Sequence, residues 1–595
     1  MGKDTALLIL VLLLLAAIIA IIIVCFRTTY GLRPLEEEEP LWKTSVVHQV
    51  HARSLYDVHP NGTGDIAGIT SKADYLKELG VGIVCISPIY KSPMKDSGFD
   101  ISNFTDIDPV FGNMAEFDDL ITAFHQRGVK VVLEIVPNHS SDQHEWFLRS
   151  VEGEAPYGDY YTWADPKGVD AHGNPVPPNN WMSVYKGSAW QWNEKRRQFY
   201  LHQFLAEEPD LNYRNPLLRE EMKKVLVFWV EKGVDGFMVQ TLTHLLETED
   251  LSQDEPTASG PHDPRDYNYL NHTLTTNHPE TLVVLREWRL VLDQYPNKVL
   301  MVSPTGENSE SVMSYYGNST HPLADIPLNS LLINSLTDRS HVTGPTLRSI
   351  IDLGLDKLPK GKWANWLLGN ADQRRTATRV GTDLVDALNM MTLLLPGTPV
   401  VYYGEEIGME DTEITWNETR DSLGLRWGPD HYRDHSRDPA RTPMQWDDSK
   451  LAGFTTSNST WLPVNPNYKT LNVKGQSEAP QSHLKIFKEL TVLRGQEAFR
   501  DGYLQFPVVT KNIFTFIRYV ERADSYMLVI NTSVDDVVVN LRLNSTVQLP
   551  QSGTVVLRSS SDTSADTLPG SEVLLDEVHL VAGEGLLLKL SLQSP

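Results

Sequence analysis

The sequence predicts an α/β fold class. It reads as a (β/α)8 TIM barrel with an inserted rim domain and a C-terminal all-β domain, preceded by one transmembrane helix. Three observations lead there. Short apolar runs alternate with longer amphipathic ones from Trp42 to about Arg494. That alternation breaks once, between Asn138 and Asp210, into a stretch rich in Pro, Trp and Tyr. Beyond Arg500 the runs are short and β-like, with no long helix. Alternation of strand and helix over this length favours parallel strands joined by helices. A chain of 595 residues also exceeds what one ordinary core serves, so several folded units are expected.

Residues 6–26 form an uncharged run long enough to cross roughly 30 Å of hydrocarbon as a helix. A cleaved signal peptide is the competing reading, but its apolar region is usually only about 7–15 residues long. Residues 1–5 then form a cytoplasmic tail, and 27–41, with Glu36 to Glu39 between two prolines, a solvated neck. The barrel is expected over 42–137 and 211–500, the rim domain over 138–210 and the β domain over 501–595. Expected strands include Val81–Ile86, Val129–Ile135, Gly236–Val239, Val299–Val302, Trp366–Gly369 and Pro399–Tyr403. Met114–Arg127 and Leu217–Lys232 read as helices, and Ser525–Asn531 and Val537–Leu543 as strands of the last domain.

Composition narrows the function classes. A formal charge of -25 argues against nucleic acid, because phosphate contacts need a basic face. Two cysteines, Cys25 and Cys85, are too few for a disulfide framework. Cys85 lies in an apolar strand and reads as a quiet core thiol. The chain carries about nine N-x-[ST] sequons, including Asn61, Asn103, Asn271, Asn318, Asn417, Asn458, Asn531 and Asn544. Together they suit a large domain outside the plasma membrane in a single-pass type II arrangement, although the basic residues flanking the apolar run do not favour it.

Four strings carry a resemblance: SPIYKSPMKDSGFDISNFTDIDPVFG (87–112), VPNHSSDQHEWF (136–147), EPDLNYRNP (208–216) and GTPVVYYGEEIGM (397–409). In this order they resemble the α-amylase superfamily, nearest its maltase and oligo-1,6-glucosidase types. The resemblance implies a retaining site with two carboxyl groups, a nucleophile and an acid/base. In GVDGFMVQTLTH (233–244), Gln240 stands at the nucleophile position and Met238 at the arginine beside it. Ser303 aligns with the acid/base, with Glu307 four residues on. In GNADQRR (369–375), Asp372 is kept and Ala371 replaces a sugar-binding histidine. Asp96 and His139 survive as remnants, while Phe99 and Glu134 depart conservatively. An amide is a poor nucleophile and a serine a poor acid, so no catalytic residue is expected. In YDVHPNGTGDI (56–66) the metal-binding pattern is broken by His59 and Asn61, and no metal or other cofactor is expected.

A membrane-anchored, glucosidase-like domain without its carboxylates resembles the heavy chains of heteromeric amino-acid transporters, in the rBAT-like form that keeps the rim domain. That resemblance implies a catalytically inactive subunit, not an enzyme. Its partner would be a multi-spanning amino-acid transporter light chain, stabilised and trafficked by this chain. The resemblance also implies an intersubunit disulfide through Cys25; without it, Cys25 reads as apolar packing in the membrane. A membrane-tethered carbohydrate-binding pseudo-enzyme is the alternative, and an active α-glucosidase the third reading.

Overall fold

The computed structural model describes residues 40–304, 309–521, 524–543, 545–559 and 568–591. The expected tail and membrane helix, Cys25, nearly all of the neck, Glu307 and Asn544 lie outside the described residues. Among the described residues no helix is long and apolar enough to cross a membrane.

Eight parallel strands form the central sheet: β1 (Val46–Val50), β2 (Val81–Ile86), β3 (Lys130–Ile135), β4 (Gly236–Val239), β5 (Val299–Val302), β6 (Ile326–Pro327), β7 (Asn365–Leu367) and β8 (Thr398–Tyr402). They lie in the order β6-β5-β4-β3-β2-β1-β8-β7, so β1 is hydrogen-bonded to β8 as well as to β2. The remaining seam, between β6 and β7, is joined by one side chain. Asn365 Nδ2 donates to the Pro327 carbonyl at 2.6 Å, and its Oδ1 accepts from Asn329 N at 2.8 Å. Inward side chains such as Val47, Ile83, Val132, Met301 and Val400 fill the interior, so the barrel is a packed core. Cys85 is buried among them, and burial pushes its thiol well up, as a quiet core thiol requires.

Local sequence explains the outer helices. α1 (Met114–Gln126) begins at a capping box, Asn113 with Glu116, and buries Phe117, Leu120, Ile121 and Phe124 on one face. α2 (Pro216–Glu231) has Asn215 as its cap and proline at its first position, where no hydrogen bond is lost. Its Trp229 is buried and donates from Nε1 to the Phe104 carbonyl at 2.7 Å.

The rim insertion follows β3. It holds a three-stranded antiparallel sheet of Trp163–Ala164, Trp190–Asn193 and Gln198–Leu201, with its own small core of Trp181, Trp190, Phe199 and Leu201. The C-terminal domain is a six-stranded antiparallel sheet of β9 (Tyr503–Gln505), β10 (Ile513–Tyr519), β11 (Ser525–Asn531), β12 (Ser552–Arg558), β13 (Glu572–Leu574) and β14 (Gly585–Leu590), in the order β9-β10-β11-β14-β12-β13. It docks on α5 of the barrel, the helix Val385–Leu394; α3 and α4 are Thr281–Leu292 and Gly344–Asp356. Arg518 on β10 donates to the Leu394 carbonyl at the end of α5, and also to Phe499 and Gly502. A cation there meets carbonyls that the helix itself leaves unpaired. At Gly585 an added Cβ would stand 3.0 Å from Ala387 Cα, so only glycine admits this approach.

Two expectations need correction here. The strand expected over 537–543 ends at Val539, because Asn540 Oδ1 accepts from Arg542 N and Leu543 N and turns the chain. Asn531 is fully buried and its amide donates to the Asp535 and Val581 carbonyls, so this sequon is closed to glycosylation. Asn61, Asn271, Asn318, Asn417 and Asn458 are exposed, and Asn103 is half-buried.

α5 and α6 (His483–Leu493) are joined by His483 Nδ1 and Asp386 Oδ1 at 2.8 Å. Burial lowers the His483 pKa, but the Asp386 carboxylate outweighs it and the net shift is upward. A histidine raised in the fold contributes stability that is complete below its unfolded value of about 6.5 and is lost as pH rises through the folded value. His483→Ala is therefore expected to lower the melting temperature more at pH 5.5 than at pH 8.5. Equal losses at both pH values in thermal melts would contradict this.

Candidate functional site

One pocket opens at the C-terminal end of the barrel, and all eight strands reach it. β1 supplies Gln49, Val50 and His51; Ser87 follows β2; Glu134 lies in β3; Gln240 follows β4; Ser303 follows β5. Leu328 follows β6, Leu367 ends β7 ahead of Asn370 to Asp372, and Tyr402 ends β8. Phe99 and Arg441 complete the wall from the loops. The cavity measures about 30 Å³, room for roughly two waters, so a sugar ring enters only with movement of its mouth.

The structure brings Gln240, Ser303, Ala371 and Asp372 together in this pocket. Met238 lies beneath it, buried in the barrel interior, where Gln49 Nε2 meets its sulfur at 3.4 Å. Asp96 and His139 stand behind the wall and do not line the cavity. His139 faces Glu208 (Nε2 to Oε1, 3.4 Å) with both groups buried. Burial lowers the His139 pKa, but the Glu208 carboxylate outweighs it and raises the pKa overall.

Glu134 and Asp372 are the two carboxyl groups that line the pocket. Glu134 is buried, and burial pushes its carboxyl up to about 8, with the Asp372 charge adding to the shift. Gln240 donates from Nε2 to Glu134 Oε2 at 3.2 Å and fixes the carboxyl in the cavity. Glu134 is thus largely protonated at neutral pH. Asp372 is different: 43% of its side chain is exposed, and its Oδ1 accepts from Arg441 Nη2 at 2.9 Å with Arg437 Nη1 at 3.5 Å.

Arg437 and Arg441 organise the rim. Arg437 binds Asp421 at 2.6 Å and approaches Asp96 at 3.6 Å, while Tyr185 of the insertion donates its hydroxyl to Asp96 at 2.7 Å. Burial raises the Asp421 pKa, but the two guanidinium groups outweigh it and hold the carboxyl at about 2. Arg437, Arg441, Asp421 and Glu208 are not among the site residues expected from the sequence, where Glu134 stands only as a conservative departure. Only the spacing of two arginines in SRDPARTPMQW (436–446) marked this rim, and spacing cannot show which carboxylates they meet.

In the loop at 56–66 both aspartates are engaged by backbone and side-chain donors, and Asp57 Oδ1 alone is buried without a hydrogen-bond partner. Asp57 Oδ2 accepts from Gly62 N and Thr455 Oγ1, and Asp65 caps the helix Ile66–Ser71 while holding Val58 N and His59 N. Buried polar groups also gather at the base of the insertion, where Gln203 N and Nε2 donate to the two oxygens of Asp210. Asn138 Oδ1 is buried without a hydrogen-bond partner, and Asp210 beside it is pushed up to about 6 by burial. Glu247 is pushed up to about 7 by burial and by the charge of Asp210.

Comparison with known proteins places this geometry. The model of the α-amylase family, catalytic domain, matches residues 49–502. Maltase 1 of Drosophila virilis is 42% identical over 516 residues, 85% of this chain and 81% of that protein. The amino acid transporter heavy chain SLC3A1 of Rattus norvegicus is 36% identical over 563 residues, 93% of this chain and 79% of that one. The solved trehalulose synthase MutB of Pseudomonas mesoacidophila is 29% identical with a TM-score of 0.80, over 93% of this chain and 100% of that chain. These findings overturn the expectation of a non-enzymatic transporter subunit. Proteins named as maltases and α-glucosidases match at higher identity than the transporter heavy chain. Substitution at Gln240 and Ser303 does not empty the pocket of acid chemistry, because Glu134 and Asp372 remain in it.

Proposed function

The chain belongs to the α-amylase family, and from that premise we propose that it acts on α-glucosides, hydrolysing the glycosidic bond in the pocket at the C-terminal end of the barrel. The observation that carries the reading is the contrast between two carboxyl groups in one pocket. Glu134 is held protonated by burial, whereas Asp372 is paired with two arginines. Pairs of carboxyls whose surroundings separate them in this way divide acid work from charge stabilisation.

Glu134 is the proton donor to the leaving glycosidic oxygen, and Gln240 fixes its orientation through Oε2. Asp372 is the carboxylate that meets the positive charge developing on the sugar ring; a solvent water forms the new bond to the anomeric carbon and gives its proton to Asp372, while the proton of Glu134 leaves with the released hydroxyl. Arg441 and Arg437 position it, Arg441 also by donating from Nε to the Ala371 carbonyl at 2.7 Å. Ser303 contributes no charge. Maltose is the first substrate to try, and the full-length protein is expected to release glucose from it at neutral pH. No release from maltose or sucrose between pH 5 and 8 would overturn the reading.

The uncharged run 6–26 supports attachment of this site to a membrane. The protein is then expected to stay with the membrane pellet at alkaline pH and to leave it only with detergent; release by carbonate alone would refute the anchor.

A further inference from the structure

A second cavity, of about 450 Å³, lies outside the catalytic pocket, between the segments 418–420 and 450–468. We propose that it is a carbohydrate-binding groove that seats a pyranose ring on Tyr468. The volume falls within the roughly 300–1,000 Å³ typical of small-molecule sites. Its lining combines aromatic surface with spare polar groups, the mixture that pyranoses need. Tyr468 is half-buried, and among the described residues its hydroxyl makes no hydrogen bond. Lys469 Nζ lies 4.6 Å from the centroid of the ring. Arg420 is exposed, and its guanidinium has no ion pair among the described residues.

The floor of the groove is rigid. Trp461 stacks on His51 at 5.5 Å with 6° between the planes, and its Nε1 donates to Ser54 Oγ at 3.1 Å. The wall includes Leu451, which with Ala452 adopts left-handed backbone (φ 55° and 59°), rare for residues other than glycine. Trp446 N and Asp447 N hold that turn through the Ala452 carbonyl. Left-handed residues held in this way cluster where a surface is shaped for a ligand.

The same chemistry has two sources. One is a free saccharide. The other is a glycan on this chain's own Asn458, which is exposed and 3.0 Å from Lys450 Nζ, with Ser459 and Thr460 of its sequon lining the groove. A tether that short makes the second binding step intramolecular.

Two arms test the proposal on the full-length protein. The first is calorimetry with chitobiose, which has no α-glucosidic bond to engage the catalytic pocket, using the Asn458→Gln form. Binding that weakens about tenfold or more on adding Tyr468→Ala supports a site for free saccharide. The second is endoglycosidase release of the Asn458 glycan under native conditions. Release that speeds up about tenfold with Tyr468→Ala supports the tethered glycan. Arg420→Gln, on the exposed rim, serves in both arms if Tyr468→Ala does not fold. No chitobiose heat, together with a bare Asn458 or release rates that do not change, overturns the proposal. Because neither arm measures glucose release, failure here leaves hydrolysis at Glu134 and Asp372 to be judged separately.

Discussion

Replacing Glu134 by glutamine is expected to lower glucose release by a factor on the order of 10²–10⁴, the usual contribution of a positioned acid. The change keeps the shape of the side chain and can keep the contact to Gln240, so it removes the proton and little else. Asp372→Asn should fall at least as far, and the double change no further, because residues that act as one unit do not lose rate additively. The pH profile gives an independent reading. Glu134 works only while protonated, so kcat is expected to decline as pH rises through about 8, and that limb should vanish in the glutamine form. Unaltered kcat in either single variant would remove these two residues from the mechanism.

The largest effect on stability is expected at Arg518. It is fully buried and donates to three backbone carbonyls across the joint between the barrel and the β domain. Burial of its charge is costly, and its pKa is pushed down to about 10. Arg518→Met recovers that cost but leaves the Leu394, Phe499 and Gly502 carbonyls without this donor. At about 1–3 kcal/mol for each buried group left unpaired, the losses win, for a net destabilisation on the order of 3–5 kcal/mol. Scanning calorimetry should show the β domain melting ahead of the barrel. A single transition at the original temperature would refute this account of the joint.

Strands were legible in the sequence where burial made them continuously apolar. β2, β4 and β5 fall at the expected bounds, and β3, β7 and β8 within one or two residues. β1 was not legible, because His48 and Gln49 interrupt its pattern; buried His48 faces Glu406 at 3.6 Å, a residue more than 350 positions away. β6 is only two residues long and too short for any period to show. Gln240, Ser303 and Asp372 could be placed because each sits at or just beyond the end of a recognisable strand. The chemistry was misjudged for a physical reason. Loss of two carboxyls was visible in the letters, but the burial that gives Glu134 its proton is a property of the folded pocket. Arg441 likewise lies 69 residues from its partner Asp372, beyond any local pattern.

The side chain of Asn365 has a consequence for how the barrel breathes. Seven of its joints are ladders of backbone hydrogen bonds, whereas β6 and β7 are tied by a single amide. Opening is cheapest where the fewest bonds must part together. The barrel therefore has a natural parting line, and it runs between Leu328 and Leu367, two walls of the pocket. Deuterium should enter at residues 326–329 and 365–367 before it enters β1 to β4. A pocket too tight for a sugar at rest would then gain its width along that line.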